Sequence, residues 1–423
     1  MNKKWFTGLA CVLAGCSLAG CDAGNSSSSE FNYNELPYYT ANIDDLTYSY
    51  TDEERVRPFW QGNVMYNETV MFFENGNNTA KATTMFKPLK ILGVYDWSLK
   101  RQYIEGVDYT VSEDGSLVCT ENSAIPTFNE DWCFGKNIPD RYEKIDTTAV
   151  IGNKYCLMPG ADMSTGNAVD LIYTEGALIY ERYVHVTYAY DPASFDYEKV
   201  NSYANELFGL EEKLKAGEDI NMVVFGDSVS EGCSTSGHWQ RDPGCPFYGG
   251  LVKNELERLY NSNITLTNMS LGGMTSKWGV GIDTSNGGGY NLTKLRELAP
   301  DFLVIGFGGN DVHSVPATDF VTNIETIVET ARGVNPDCQI VFLNFYPINE
   351  YFVNRTKQEI LTQTYKEFSY NYAGATFVDM YTTGIEVLKT KKHIEITANN
   401  LNHPNDFFHR IIAMNILSAI VDY

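Results

Sequence analysis

Serine, glycine, asparagine and histidine recur in this sequence where they could act together on one carbonyl group. "NMVVFGDSVS" runs an apolar segment straight into Gly226-Asp227-Ser228, and "NMSLGGMTS" carries Gly272 and Gly273. "FLVIGFGGND" delivers Asn310, and "NNLNHPND" places His403 near the C-terminal end. A serine hydroxyl is a weak nucleophile until a base removes its proton, and His403 is the available base. The tetrahedral intermediate that follows carries an oxyanion, which needs donors already in place. A glycine N–H can approach it closely, and the Asn310 side-chain amide supplies another donor. These are the parts of an acyl-transfer site.

Such residues need a scaffold that brings them to one edge. After about residue 195, strand and helix signals alternate. The candidate strands are "MVVF", "ITLTNMS", "FLVIGF", "QIVFLNF" and "TFVDM". Helices fall around them: "SYANELFGLEEKLKAGE", "FVTNIETIVETARG", "NRTKQEILTQTYKEF" and the closing "NDFFHRIIAMNILSAIVDY", whose Asn and Asp suit an N-cap. This alternation implies a parallel sheet covered on both faces, with the carboxyl ends of its strands on one ligand-binding edge.

The first half reads differently. From about residue 35 to 190 the pattern is short alternating runs such as "NVMYNETVMFF" and "YERYVHVTYAY", broken by turn residues. A β-sandwich or jelly roll is expected there, without an amphipathic helix. A chain of 423 residues exceeds what one hydrophobic core usually supports. The expected division is a β-domain over 35–195 and an α/β domain over 196–423.

The N-terminus carries Lys3 and Lys4, an apolar run, and "LAGC" ending at both Cys16 and Cys21. Charged-then-apolar segments this short are export signals. The Leu-Ala-Gly-Cys ending resembles the bacterial lipobox, with Cys21 the favoured site of lipidation and Cys16 the alternative. Residues 1–21 are then the signal and 22–34 a flexible tether. The resemblance implies an extracytoplasmic lipoprotein at the bacterial cell surface, touching membrane only through its anchor. Six cysteines follow, and Cys233 and Cys245, bracketing a loop after Ser228, are the first pair expected to bridge. A formal net charge of −23 leaves no basic excess to neutralise phosphates, which argues against a nucleic-acid partner.

Together the motifs resemble the SGNH (GDSL-type) hydrolase superfamily over roughly residues 215 to 423. "GDSVS" matches its first block, with Ser228 as nucleophile. "NMSLGGMT" matches the second, whose glycine donor falls at Gly273, with Gly272 the alternative register. "GGND" matches the third, with Asn310 as oxyanion donor, and "NLNHP" the last, with His403 as base. The resemblance implies a three-layer α/β/α, flavodoxin-like fold, and an oxyanion hole formed by Gly273, Asn310 and the Ser228 N–H. The order of a β-domain and then this domain is similar to two-domain carbohydrate esterases, which deacetylate plant cell-wall glycans such as xylan without metal or organic cofactor. Two rival readings are an esterase for lipids or acetylated peptidoglycan, and a non-catalytic glycan-binding protein. The ordinary α/β-hydrolase alternative is disfavoured, because a G-x-S-x-G elbow would need glycine where Ser230 stands.

The sequence departs from the family at one place. The last block usually reads Asp-x-x-His, but position 400 is Asn. Asn400 could accept a bond from the imidazole without offsetting its charge, and Asp406 is the nearest alternative acid. Asp227 and Asp311 follow the family pattern and are expected to hold structure. In the loop "GCSTSGHWQRDPGCPF", His238 and Trp239 are candidates for a substrate wall, as is Trp278; "DTSNGGGYN" is expected to be a loop.

Overall fold

The computed structural model describes residues 41–74, 76, 79–194 and 207–421. The expected export signal, Cys16, Cys21 and the tether lie outside these residues, as does the start of the helix expected from residue 202. Its described part spans Phe208–Lys215.

All five expected strands of the second half form one parallel sheet, in the order Ile264–Asn268, Ile220–Gly226, Phe302–Gly306, Gln339–Leu343, Ala375–Val378. Numbered by sequence this is 2-1-3-4-5, the flavodoxin-like order. Phe302–Gly306 is buried at every residue, as expected of a strand covered on both faces. Ala317–Arg332 and Arg355–Ser369 are helices, the second capped by Asn354. The last helix, Asp406–Leu417, starts where Asn405 accepts the Phe408 N–H.

The first half is β-rich. An antiparallel sheet has the order Val64–Val70, Val184–Ala189, Lys90–Asp96, Gln102–Tyr103. A five-stranded sheet of short segments joins Tyr109–Val111 to Thr127–Phe128, and a three-stranded one contains Ala168–Tyr173 and Lys154–Ala161. Short helices also occur at Asp52–Val56 and Ala177–Tyr180.

The described residues of both halves fall in one compact unit, and a single hydrophobic cluster includes Phe59, Val94 and Tyr188 with Val223, Val304 and Ile411. Polar bonds cross the same junction. Buried Arg410 in the last helix donates to the Arg55, Tyr66 and Asn67 carbonyls at 2.7, 2.7 and 3.0 Å. Buried Lys391 bonds Glu68 at 2.7 Å and Glu395 at 3.1 Å. Among the described residues, no helix is long and apolar enough to cross a membrane.

Cys233 and Cys245 are free thiols, which corrects the disulfide expected between them. The loop they bracket closes through hydrogen bonds instead. The Cys245 N–H donates to Ser236 Oγ at 2.7 Å and the Gly237 N–H to the Cys245 carbonyl at 3.0 Å. "DTSNGGGYN" is also more ordered than a loop, with a 3-10 turn over Ser285–Tyr290.

Candidate active site

In a 2-1-3-4-5 sheet, the switch in strand order opens a crevice between the first and third strands, beyond their carboxyl ends. Ser228 follows the first strand and Asn310 the third, so the topology alone puts them on either side of that crevice. Gly226 and Gly306 make the approach possible. A Cβ on Gly226 would lie 2.3 Å from the Gly306 carbonyl oxygen.

Asp227 fixes the turn. It caps the short helix Ser228–Glu231 by accepting the Val229 N–H at 3.1 Å, and its other oxygen accepts the Gly309 N–H at 3.1 Å. One carboxylate thus holds both the serine turn and the loop of Asn310. Full burial pushes its pKa up to about 8, partly offset by these N–H bonds and reinforced by nearby Asp311. Asp311 accepts from the Ser276 N–H and hydroxyl, tying the second loop to the third, and burial raises its pKa to about 6. Ser230 also holds structure, accepting from Tyr248 Oη at 2.7 Å and donating to the Gly306 carbonyl at 3.1 Å.

The two glycine registers differ in what their N–H groups do. The Gly272 N–H is taken by Glu231 Oε2 at 2.6 Å. Gly273 has φ +78° and nothing within 4 Å of where a Cβ would stand, so it faces open space. Asn310 spends one amide hydrogen on the Met274 carbonyl at 2.9 Å, leaving the other for a ligand.

His403 sits in a loop shaped by Asn399, whose side-chain oxygen accepts the N–H groups of Leu401, Asn402 and His403. Its Nδ1 lies 2.6 Å from Glu175 Oε1 and 3.2 Å from Ser234 Oγ, and the Ser234 hydroxyl donates to the same carboxylate at 2.8 Å. Ser234 links the histidine to the serine turn, because the Cys233 N–H before it donates to the Ser228 carbonyl at 3.0 Å. Burial works to raise the pKa of Glu175. The bonds from His403 and Ser234, with the nearby His238, outweigh it and hold the carboxylate below its usual range.

Both residues proposed to orient His403 are engaged elsewhere. Asn400 has φ +67° and donates to the Cys133 and Ile172 carbonyls at 3.2 and 3.3 Å. Asp406 Oδ1 accepts the Ser236 N–H at 2.8 Å, and burial raises its pKa. The group on the imidazole is Glu175, from the β-rich half. It carries no motif, and its one sequence signal is a lone charge in the otherwise uncharged run "LIYTEGALIY".

The aromatic candidates separate. Trp278 is 3% exposed, packs on Phe225 and donates its indole N–H to the Ser285 carbonyl at 2.9 Å. It is a core residue, which corrects its place among the wall candidates. His238 is exposed and Trp239 half-buried, their rings edge to face at 4.9 Å in the loop that carries Ser234.

Residues 224–411 match the model of the GDSL-like Lipase/Acylhydrolase family. The match lies in the second half of this chain and takes in Ser228, Gly273, Asn310 and His403. No curated protein matches the chain. Among solved structures, a two-domain esterase active on acetylated mannans, crystallised with mannopentaose, is 24% identical with a TM-score of 0.39. That match covers 52% of this chain and 55% of the esterase, little more than half its length. A catalytic mutant of Axe2, an acetylxylan esterase from Geobacillus stearothermophilus, is 20% identical over 49% of this chain and 97% of its own, with a TM-score of 0.41. The lipase Lip_vut3 from a goat rumen metagenome is 13% identical over 47% and 97%, with a TM-score of 0.37.

Proposed function

We propose that this protein is a serine esterase that removes acetyl groups from cell-wall polysaccharide such as xylan or mannan. The observation that carries the mechanism is the linkage of His403 through Ser234 to the turn of Ser228, with Gly273 facing open space and Asn310 holding only one of its amide hydrogens on the Met274 carbonyl. Ser228 Oγ attacks the ester carbonyl while His403 takes its proton. The Ser228 and Gly273 N–H groups and the Asn310 amide receive the oxyanion. Collapse of the intermediate breaks the bond to the sugar oxygen, which leaves with the proton from His403. A water molecule, deprotonated by the same imidazole, attacks the acyl-serine and acetate departs. The glycan assignment draws on the resemblance of this domain order to two-domain carbohydrate esterases. The same reading places the enzyme outside the cytoplasm, anchored by lipid on Cys21.

The test is acetate release from acetylated xylan and acetylated mannan by the full chain, beside Ser228→Ala and an aryl acetate. Release by wild type and none by Ser228→Ala is expected. Cleavage of the aryl acetate alone would keep the chemistry and remove the glycan. Hydrolysis of neither, or equal hydrolysis by Ser228→Ala, ends the serine-esterase reading. For the anchor, Cys21→Ser should move the protein from the membrane fraction to the soluble one.

A further inference from the structure

We propose that Glu175, supplied by the β-rich half, is the carboxylate that positions His403 and stabilises its imidazolium, so that the site is completed across the two halves of the chain. This rests on the esterase reading above and adds a residue that none of the four motifs contains.

The contact is built. The Glu175 and His403 side chains are only 10% and 11% exposed, at 2.6 Å. The glutamate backbone is fixed on both sides. Its N–H donates to the Val150 carbonyl at 3.1 Å, and its carbonyl accepts from Arg241 Nη1 at 3.3 Å, while that guanidinium lies 4.0 Å over the Tyr180 ring. Thr174 beside it bonds the Lys154 carbonyl and accepts the Gly176 N–H. Ser234 then orients the carboxylate itself.

The chemistry follows from what an ionised carboxylate can do. It accepts hydrogen bonds and has none to donate, so Nδ1 must carry the proton and Nε2 keeps its lone pair for the serine. As the imidazolium forms, the adjacent negative charge offsets it in a site largely closed to water. An amide at the same place could donate to Nδ1 and drive the proton to Nε2. In a serine-protease triad, that carboxylate-to-amide change costs about 10⁴ in kcat.

Two measurements on the full chain decide this. In ¹⁵N-histidine NMR, neutral His403 in wild type should carry its proton on Nδ1, and in Glu175→Gln on Nε2. With an aryl acetate, Glu175→Gln should lose roughly 10³- to 10⁴-fold in kcat with KM changed less than about threefold. Glu175→Asp, which keeps the charge one methylene shorter, should recover at least about tenfold over Glu175→Gln. A wild-type proton on Nε2, or a Glu175→Gln kcat near wild type, overturns the proposal. Should Glu175→Gln fail to fold, the wild-type tautomer and Glu175→Asp still decide. An inert wild type would sink the esterase reading, while the tautomer would still report on Glu175.

Discussion

Asn400 donates its side-chain amide to the Ile172 carbonyl at 3.3 Å, three residues before the carboxylate that meets His403. Position 400, where the Asp-x-x-His pattern would have its acid, here holds a donor. It clasps the histidine loop to the strand Ala168–Tyr173, which leads into Glu175. The departure from Asp-x-x-His and the arrival of an acid from the other half are thus parts of one arrangement.

Asn400→Asp removes both donations and sets a carboxylate against two carbonyls. Unfolding in urea should show a loss of about 2–3 kcal/mol, and kcat should not rise. A variant as stable as wild type and faster would return the acid's role to position 400.

The proposed oxyanion donors can be separated from substrate binding. Asn310→Ala should lower kcat by about 10²- to 10³-fold, with KM nearly unchanged. A raised KM at constant kcat would instead make Asn310 a residue that binds substrate and transition state equally.

Asp227 predicts a pH-dependent stability. Its carboxyl, with an ordinary value of 3.8, is raised to about 8 in the fold. Between those values the folded state keeps a proton that the unfolded state has released. Stability from this group is therefore full below pH 3.8 and falls as pH rises toward about 8. The stability gap between wild type and Asp227→Asn, measured in urea at pH 5 and pH 7.5, should narrow at the higher pH. A gap that is constant or widens contradicts the assignment.

Lys391 bridges Glu68 and Glu395 at the junction of the halves, its side chain fully buried. Glu68 also accepts from Tyr188 Oη at 2.5 Å and the Met85 N–H at 2.9 Å. Lys391→Met strands buried carboxylates and should cost about 3–5 kcal/mol, read as a drop in the urea midpoint. A change below about 1 kcal/mol would show that the pair is dispensable to the junction.

The sequence announces the parallel sheet through its central strands, runs of apolar residues such as Phe302 to Ile305 that are buried on both faces, whereas the edge strand Ile264–Asn268 alternates apolar and polar residues. The candidate residues Ser228, Gly273, Asn310 and His403 can be picked out because each sits in a short motif at a strand end or before a helix. Glu175 is not, since its meaning comes from a contact 228 residues away that no local pattern encodes. Trp278 shows the converse error. Its neighbours in sequence belong to the site, but its ring fills space beside Phe225, and only three-dimensional packing separates those roles. Cys233 and Cys245 misled by bracketing a loop that hydrogen bonds from Cys245 and Gly237 already close.

Arg410 gives this molecule a timetable. The strand Val64–Val70 is among the first parts of the described chain to be made, yet the guanidinium that gathers the Tyr66 and Asn67 carbonyls comes 344 and 343 residues later. His403 emerges just before it. On a ribosome, the strand Val64–Val70 waits, its carbonyls hydrated, until the helix Asp406–Leu417 is translated. A chain that stops short of residue 403 has neither this anchor nor the imidazole that meets Glu175.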